Sequence, residues 1–155
     1  MNPCPCGFYG SSRCDCTPER VARYQRRVSG PLLDRIDMQV QIELPDSSAL
    51  LTGKPSKEES SLTIKKRVLE ARQIQINRQG KINAKLSAQE LVQLAPLDLE
   101  SEKLLKQAMD KLNLSARVLH KVLRVARTIA DLEQGEFNTS HIKQALSFRE
   151  QKMLK

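Results

Sequence analysis

The sequence predicts a mainly α-helical chain: an N-terminal piece with one helix and one strand, then a helical domain of about four to five helices. Three observations predict it. From about residue 58 onward, apolar residues recur at three- and four-residue intervals behind hydroxyl caps. A single stretch, "IDMQVQIEL", alternates apolar and polar positions. Between these two regimes lies "PDSSALLTGKPSK", a run of turn and linker chemistry.

The elements follow in order. Residues 1–16 read as a loop. Thr17-Pro18-Glu19 is a strong helix start, with a hydroxyl cap, a proline in the first turn and an acid near the positive helix end. That helix should run through "PERVARYQRRV" and stop before Ser29-Gly30-Pro31. Ile36, Met38, Val40, Ile42 and Leu44 then define a half-buried strand over 36–44. A lone strand leaves its edge groups unpaired, so it implies neighbours outside these residues. "SLTIKKRVLEARQIQINRQG" carries Leu62, Ile64, Val68, Leu69 and Ile76 at mainly helical spacing and ends near Gly80. "SAQELVQLA" opens on a capping box, Ser87 to Glu90. "LESEKLLKQAMDKLN" puts Leu104, Leu105, Ala108, Met109 and Leu112 on one stripe. "SARVLHKVLRVARTIADLEQG" starts at a serine cap, ends near Gly135 and turns Leu119, Val122, Leu123, Ala126, Ile129 and Ala130 inward. "TSHIKQALSFRE" follows a cap at Thr139 or Ser140.

At 155 residues the chain is long enough for one domain or two small ones. No apolar run approaches the roughly 18 residues that span a bilayer, and the polar, cysteine-bearing start does not read as a signal peptide. A cytoplasmic protein is expected, with no membrane partner. The net charge of +8 favours polyanions such as nucleic acid or nucleotide phosphates, although a solvated basic surface would also produce it. Aromatic residues make up only 3% of the chain, so base stacking has little material.

All four cysteines fall within residues 4–16, as Cys4-x-Cys6 and Cys14-x-Cys16. Two thiolate pairs across a loop containing Gly7 and Gly10 can complete a tetrahedral four-sulfur zinc site. Four sulfurs leave no open coordination position, so such a zinc is structural. Free thiols and disulfides are the other two readings; disulfides suit a cytoplasmic chain poorly. His120 and His141, far along the chain, read as surface or packing residues.

"MNPCPCGFYG", "CDCTPERVARYQRRVSGPLLDRIDMQVQIEL", "EARQIQINRQ", "INAKLSAQELVQLAPLD", "LSARVLHKVLRVARTIADLE" and "HIKQALSFRE" together resemble the magnesium-chelatase-like AAA+ ATPases of the bacterial ComM/YifB group. The resemblance covers nearly the whole chain. It implies the C-terminal part of an α/β AAA+ core over 1–44, with the four-cysteine loop at 4–16. A linker follows at 45–57, and a helical lid domain over 58–155. It assigns Asn2 of "MNP" to sensor 1, which helps orient water at the ATP γ-phosphate. Arg35 of "LLDRID" becomes the arginine finger that reaches a neighbouring subunit's site, and Arg117 of "LSAR" becomes sensor 2, a nucleotide-binding position. Two guanidiniums and an amide are suited to stabilising charge on a transferring phosphoryl group. Read without the family, Asn2 is a turn residue, Arg35 pairs with Asp34 or Asp37, and Arg117 is a solvated first-turn arginine.

The family also implies ATP and Mg²⁺ as cofactors of the full-length protein, self-association into a hexameric ring, and DNA as substrate, with branch migration during natural transformation as the associated process. The departure is the P-loop. Gly53-Lys54 is followed by Pro55 and Gly80-Lys81 by Ile82, so neither fits G-x-x-x-x-G-K-[ST], and no acidic Walker B strand precedes Asn2. The expectation is therefore the downstream half of an ATPase, its Met1 an internal methionine of a longer ancestor or the start of a truncated reading frame, inactive without its upstream half. The competing expectation is a non-enzymatic, zinc-bearing module that binds nucleic acid or protein. Metal insertion into a porphyrin, which the family name invites, finds no macrocycle-binding feature here.

Overall fold

A computed structural model describes residues 2–40, 42 and 59–149, and among them the architecture is helical throughout. Helix α1 (Pro18–Gln25) begins where Thr17 Oγ1 accepts the Arg20 N–H at 3.4 Å. A single helical turn, α2 (Gly30–Leu33), follows the Ser29-Gly30-Pro31 break. The long α3 (Ser61–Gln79) is capped by Ser60 and stopped by Gly80, whose φ of 72° is open to glycine at little cost. A 3₁₀ turn (Asn83–Lys85) leads into α4 (Ala88–Leu94), which has the expected capping box: Ser87 Oγ accepts the Glu90 N–H and Glu90 accepts the Ser87 N–H. Helix α5 (Leu99–Leu112) is capped by Asp98, and α6 (Ala116–Leu132) by Ser115. The cap of α7 (Thr139–Ser147) is Asn138, one residue earlier than expected. Its Oδ1 accepts the Ser140 N–H at 2.9 Å, while the buried His141 accepts the Asn138 N–H on Nδ1 and places Nε2 3.1 Å from Glu133.

Helix α6 is the spine. It packs against α7, α3, α4 and the 3₁₀ turn, while α5 lies on α7. Leu91, Val118, Val122 and Ile142 are fully enclosed, together with Leu86, Leu105, Leu123, Ala126, Ala145 and Leu146. Each large side chain buried in this way contributes roughly 1.5–3 kcal/mol. Buried polar groups tie the same helices together. Ser101 of α5 and Thr139 of α7 share a hydroxyl hydrogen bond of 2.9 Å. Asp131, 1% exposed, accepts from Arg78 at 2.5 and 3.1 Å, Arg127 at 3.0 Å and Asn83 Nδ2 at 2.8 Å, clamping α3 and the 3₁₀ turn to α6.

One expectation needs correction. The segment expected as a strand has no ladder among its described residues, 36–40 and 42. Its alternating side chains Ile36, Met38, Val40 and Ile42 stand exposed, and its main chain is held where the Gln39 N–H donates to the Phe148 carbonyl at 3.0 Å. Alternation marks a face suited to burial, but a strand forms only when another strand pairs with its edge. Leu44, the last residue expected in that strand, and the expected linker at 45–57 lie outside the described residues.

In α3 the covered face is not the apolar one. Leu62, Ile64, Val68, Leu69 and Ile76 are exposed, and the face turned to the core carries Ala71 and Gln75 instead. The small Ala71 lets α3 approach α6 closely, and Gln75 Oε1 accepts the Asn83 N–H at 3.0 Å. No helix among the described residues is long and apolar enough to cross a membrane.

Candidate metal centre

The four cysteines converge because the loop doubles back through three short turns. The Gly7 N–H reaches the Cys4 carbonyl at 3.2 Å, Ser11 N–H the Phe8 carbonyl at 3.0 Å and Cys14 N–H the Ser11 carbonyl at 3.1 Å. Gly7 has φ +83°, and a Cβ there would also meet Asn2 Nδ2 at 3.3 Å, so both backbone and space favour glycine. The loop is seated on α1 by Gln25 Nε2, which donates to the Pro3 carbonyl at 3.0 Å.

All four sulfurs lie within 4.8 Å of one another. Cys4 and Cys6 are 3.3 Å apart, Cys6 and Cys14 3.6 Å, and Cys4 and Cys14 3.9 Å. A tetrahedron with zinc–sulfur bonds of about 2.3 Å has edges of about 3.8 Å, so the Cys4, Cys6 and Cys14 sulfurs stand close to the separation such a centre needs, with Cys16 within 4.8 Å of each. None of these three pairs is near the roughly 2.05 Å of a disulfide. The thiols do not behave alike. A backbone hydrogen bond from Phe8 and the Cys4 side chain draw Cys6 down to about 7. At Cys14 a backbone hydrogen bond from Cys16 acts downward, but desolvation and the neighbouring Cys6 and Cys4 outweigh it and push the thiol up to about 11. Four close cysteines of this geometry could hold one metal ion, with Cys4 buried behind it.

The three other expected site residues are placed separately. Asn2 lies against Gly7 of the cysteine loop. Arg35 follows α2, is exposed, and donates from Nη1 to the Pro31 carbonyl at 3.0 Å. Arg117 is exposed in the first turn of α6. No hydrogen bond or ion pair among the described residues joins these three side chains. The Arg35 main chain does approach α6, because Lys121, one helical turn beyond Arg117, donates Nζ to the Arg35 carbonyl at 2.5 Å and pairs with Asp37. Arg149 donates to the Leu33 carbonyl at 3.2 Å; burial lowers its guanidinium's pKa, while Asp37 and Asp34 act the other way.

Sequence reasoning missed Lys121 and Arg149, and no local pattern marks either one. It also missed a cavity of about 270 Å³ lined by Pro5, Arg20, Arg23, Tyr24 and Arg27. Here a signal existed: positions 20, 23, 24 and 27 have the i, i+3, i+4, i+7 spacing of one helix face.

A cysteine loop that could hold a metal, ahead of a capped helical domain, defines the class: a mainly helical C-terminal region preceded by a small thiol cluster. The chain belongs to the magnesium chelatase family. The family described as "Magnesium chelatase, subunit ChlI C-terminal" matches residues 58–149, and "Magnesium chelatase, subunit ChlI" matches residues 1–50. The uncharacterised protein YifB of Escherichia coli is 43% identical over 151 residues, and the competence protein ComM of Haemophilus influenzae 38% identical over 151. An uncharacterised protein of Mycobacterium tuberculosis is 32% identical over 154. These alignments cover 96% of this chain but only 29–30% of the relatives, so the chain spans under a third of their length.

Proposed function

We propose that this chain is the C-terminal part of an ATP-driven, ring-forming motor that acts on DNA in the cytoplasm. Residues 1–44 complete the ATPase core, 45–57 link, and 58–155 form the lid. In this reading Arg35 is the finger that enters a neighbouring subunit's site, Asn2 is sensor 1 and Arg117 is sensor 2, binding nucleotide. Cys4, Cys6, Cys14 and Cys16 hold a structural zinc. The net charge of +8 and the similarity to a Haemophilus protein named for competence are consistent with this reading.

The observation that carries the reading is the state of Arg35. Its guanidinium is exposed and, among the described residues, has no carboxylate within 4.0 Å, while Asp37 is taken by Lys121. A residue kept for a local ion pair would not be left so. With no Walker A motif in these 155 residues, hydrolysis is expected only when the phosphate-cradling half is supplied.

The test joins this chain to the upstream region of a relative. Arg35→Ala should lower turnover by about 10³-fold or more with ATP binding nearly intact. Mixing that variant with subunits dead in Walker B should restore hydrolysis, because intact fingers and intact sites then meet at shared interfaces. Mixed rings that form but never hydrolyse ATP would refute the role of Arg35 in trans.

A further inference from the structure

We propose that the arginine-lined cavity between the cysteine loop and α1 binds the phosphodiester backbone of single-stranded nucleic acid, with Tyr24 as the platform for one base. Arg20, Arg23 and Arg27 are all exposed and lie on one face of the helix and its C-terminal turn. Neighbours at this spacing are about 5–6 Å apart at Cβ, a separation comparable to that of successive phosphates along a strand. Guanidinium forks match phosphate oxygens in pairs, which lysine does not.

Several exposed basic residues, Lys103, Lys106 and Lys111 among them, have no carboxylate partner among the described residues, but Arg20, Arg23 and Arg27 differ in lining one cavity together. Arg67, Arg78, Lys81, Lys121, Arg127 and Lys143 each have a carboxylate partner. Among the described residues, Arg20, Arg23 and Arg27 have none, so their positive field is directed to solvent. The Arg27 guanidinium lies 5.9 Å from the Tyr24 ring centroid, and on the cysteine loop Arg13 stands 6.0 Å from the exposed Phe8 ring. Cation beside aromatic ring is the pairing that strand-binding surfaces use, phosphate on one and base on the other. At about 270 Å³ the cavity is smaller than the roughly 300–1,000 Å³ of enclosed small-molecule sites, and three of its five lining residues are arginines. It suits one nucleotide unit of a passing polymer. Pro5 forms part of the wall, so the thiol centre shapes the site it adjoins.

The assignment rests on the DNA-acting reading only for the biological source of the strand. Binding by this chain needs neither ATP nor a ring, so failure of the motor and failure of this site are separate results. The experiment is fluorescence anisotropy of labelled oligo-dT with the whole chain, over about 50–200 mM salt. Replacing Arg20, Arg23 and Arg27 together with alanine should weaken binding about tenfold or more. It should also reduce the log–log salt slope by about 2, at roughly 0.7 for each phosphate no longer neutralised. Tyr24→Ala should cost about fivefold or more with the slope unchanged. The control removes the same charge elsewhere, from the exposed Lys103, Lys106 and Lys111 of α5, and should change affinity less than about twofold. A second measurement leaves the protein intact: neutral methylphosphonate linkages in the oligonucleotide should reproduce the loss. The proposal is overturned if the wild-type chain does not bind at about 50 mM salt, if the α5 control loses as much as the pocket variant, or if neutral linkages leave affinity unchanged.

Discussion

Replacing Asp131 with alanine should remove about 3 kcal/mol of stability. The side chain is 1% exposed and accepts from Arg78, Arg127 and Asn83. Breaking one side of a buried ion pair costs about 3–5 kcal/mol, because the remaining charges lose their partner. The lower end applies here, since the Arg78 and Arg127 side chains are 22% and 13% exposed and water can reach them. For a domain of this size, about 3 kcal/mol lowers the melting temperature by roughly 12–24 °C. The pH dependence adds a second check. Burial alone would raise the Asp131 carboxyl, but the hydrogen bonds from Arg78 and Asn83 and the charges of Arg127 and Arg78 prevail and hold it below the usual carboxylate range. Its contribution is therefore complete above the unfolded value of about 3.9 and is lost as pH falls through the folded value. Urea unfolding followed by circular dichroism, on wild type and variant at neutral and acid pH, measures both effects. A difference below about 1 kcal/mol at neutral pH, or one that does not shrink in acid, would refute the reasoning.

Protein purified without chelator should carry one zinc in four-sulfur coordination, measured by metal analysis; less than about half an equivalent would count against a structural site. Residues 58–155 alone should melt cooperatively, because every member of the main buried apolar cluster lies between Leu86 and Leu146. A non-cooperative melt by circular dichroism would show that the N-terminal piece is required for the fold.

Much of the helical layout was legible because its signals are local. Ser87 with Glu90, Thr17 before Pro18, and Gly80 after α3 act within about four residues, and the structure has each where the pattern put it. The α7 cap moved to Asn138 because asparagine, threonine and serine are adjacent competitors with similar capping chemistry. The cysteine spacing likewise announced a thiol cluster, since two C-x-C pairs on a short loop have few ways to avoid one another.

Helices, their caps and the grouping of the thiols could thus be read from the chain directly, because all of them depend on contacts a few residues apart. Which faces are covered was settled by long-range packing alone. Packing turned Ala71 and Gln75 of α3 toward the core rather than the apolar stripe, and placed Arg78 against Asp131 across 53 positions of sequence. It also brought Lys121 to Arg35 across 86 positions, and left the 36–40 segment without a strand partner among the described residues. Periodicity records that a surface is suited to burial; what buries it is set by elements far away in the chain, and no local pattern carries that information.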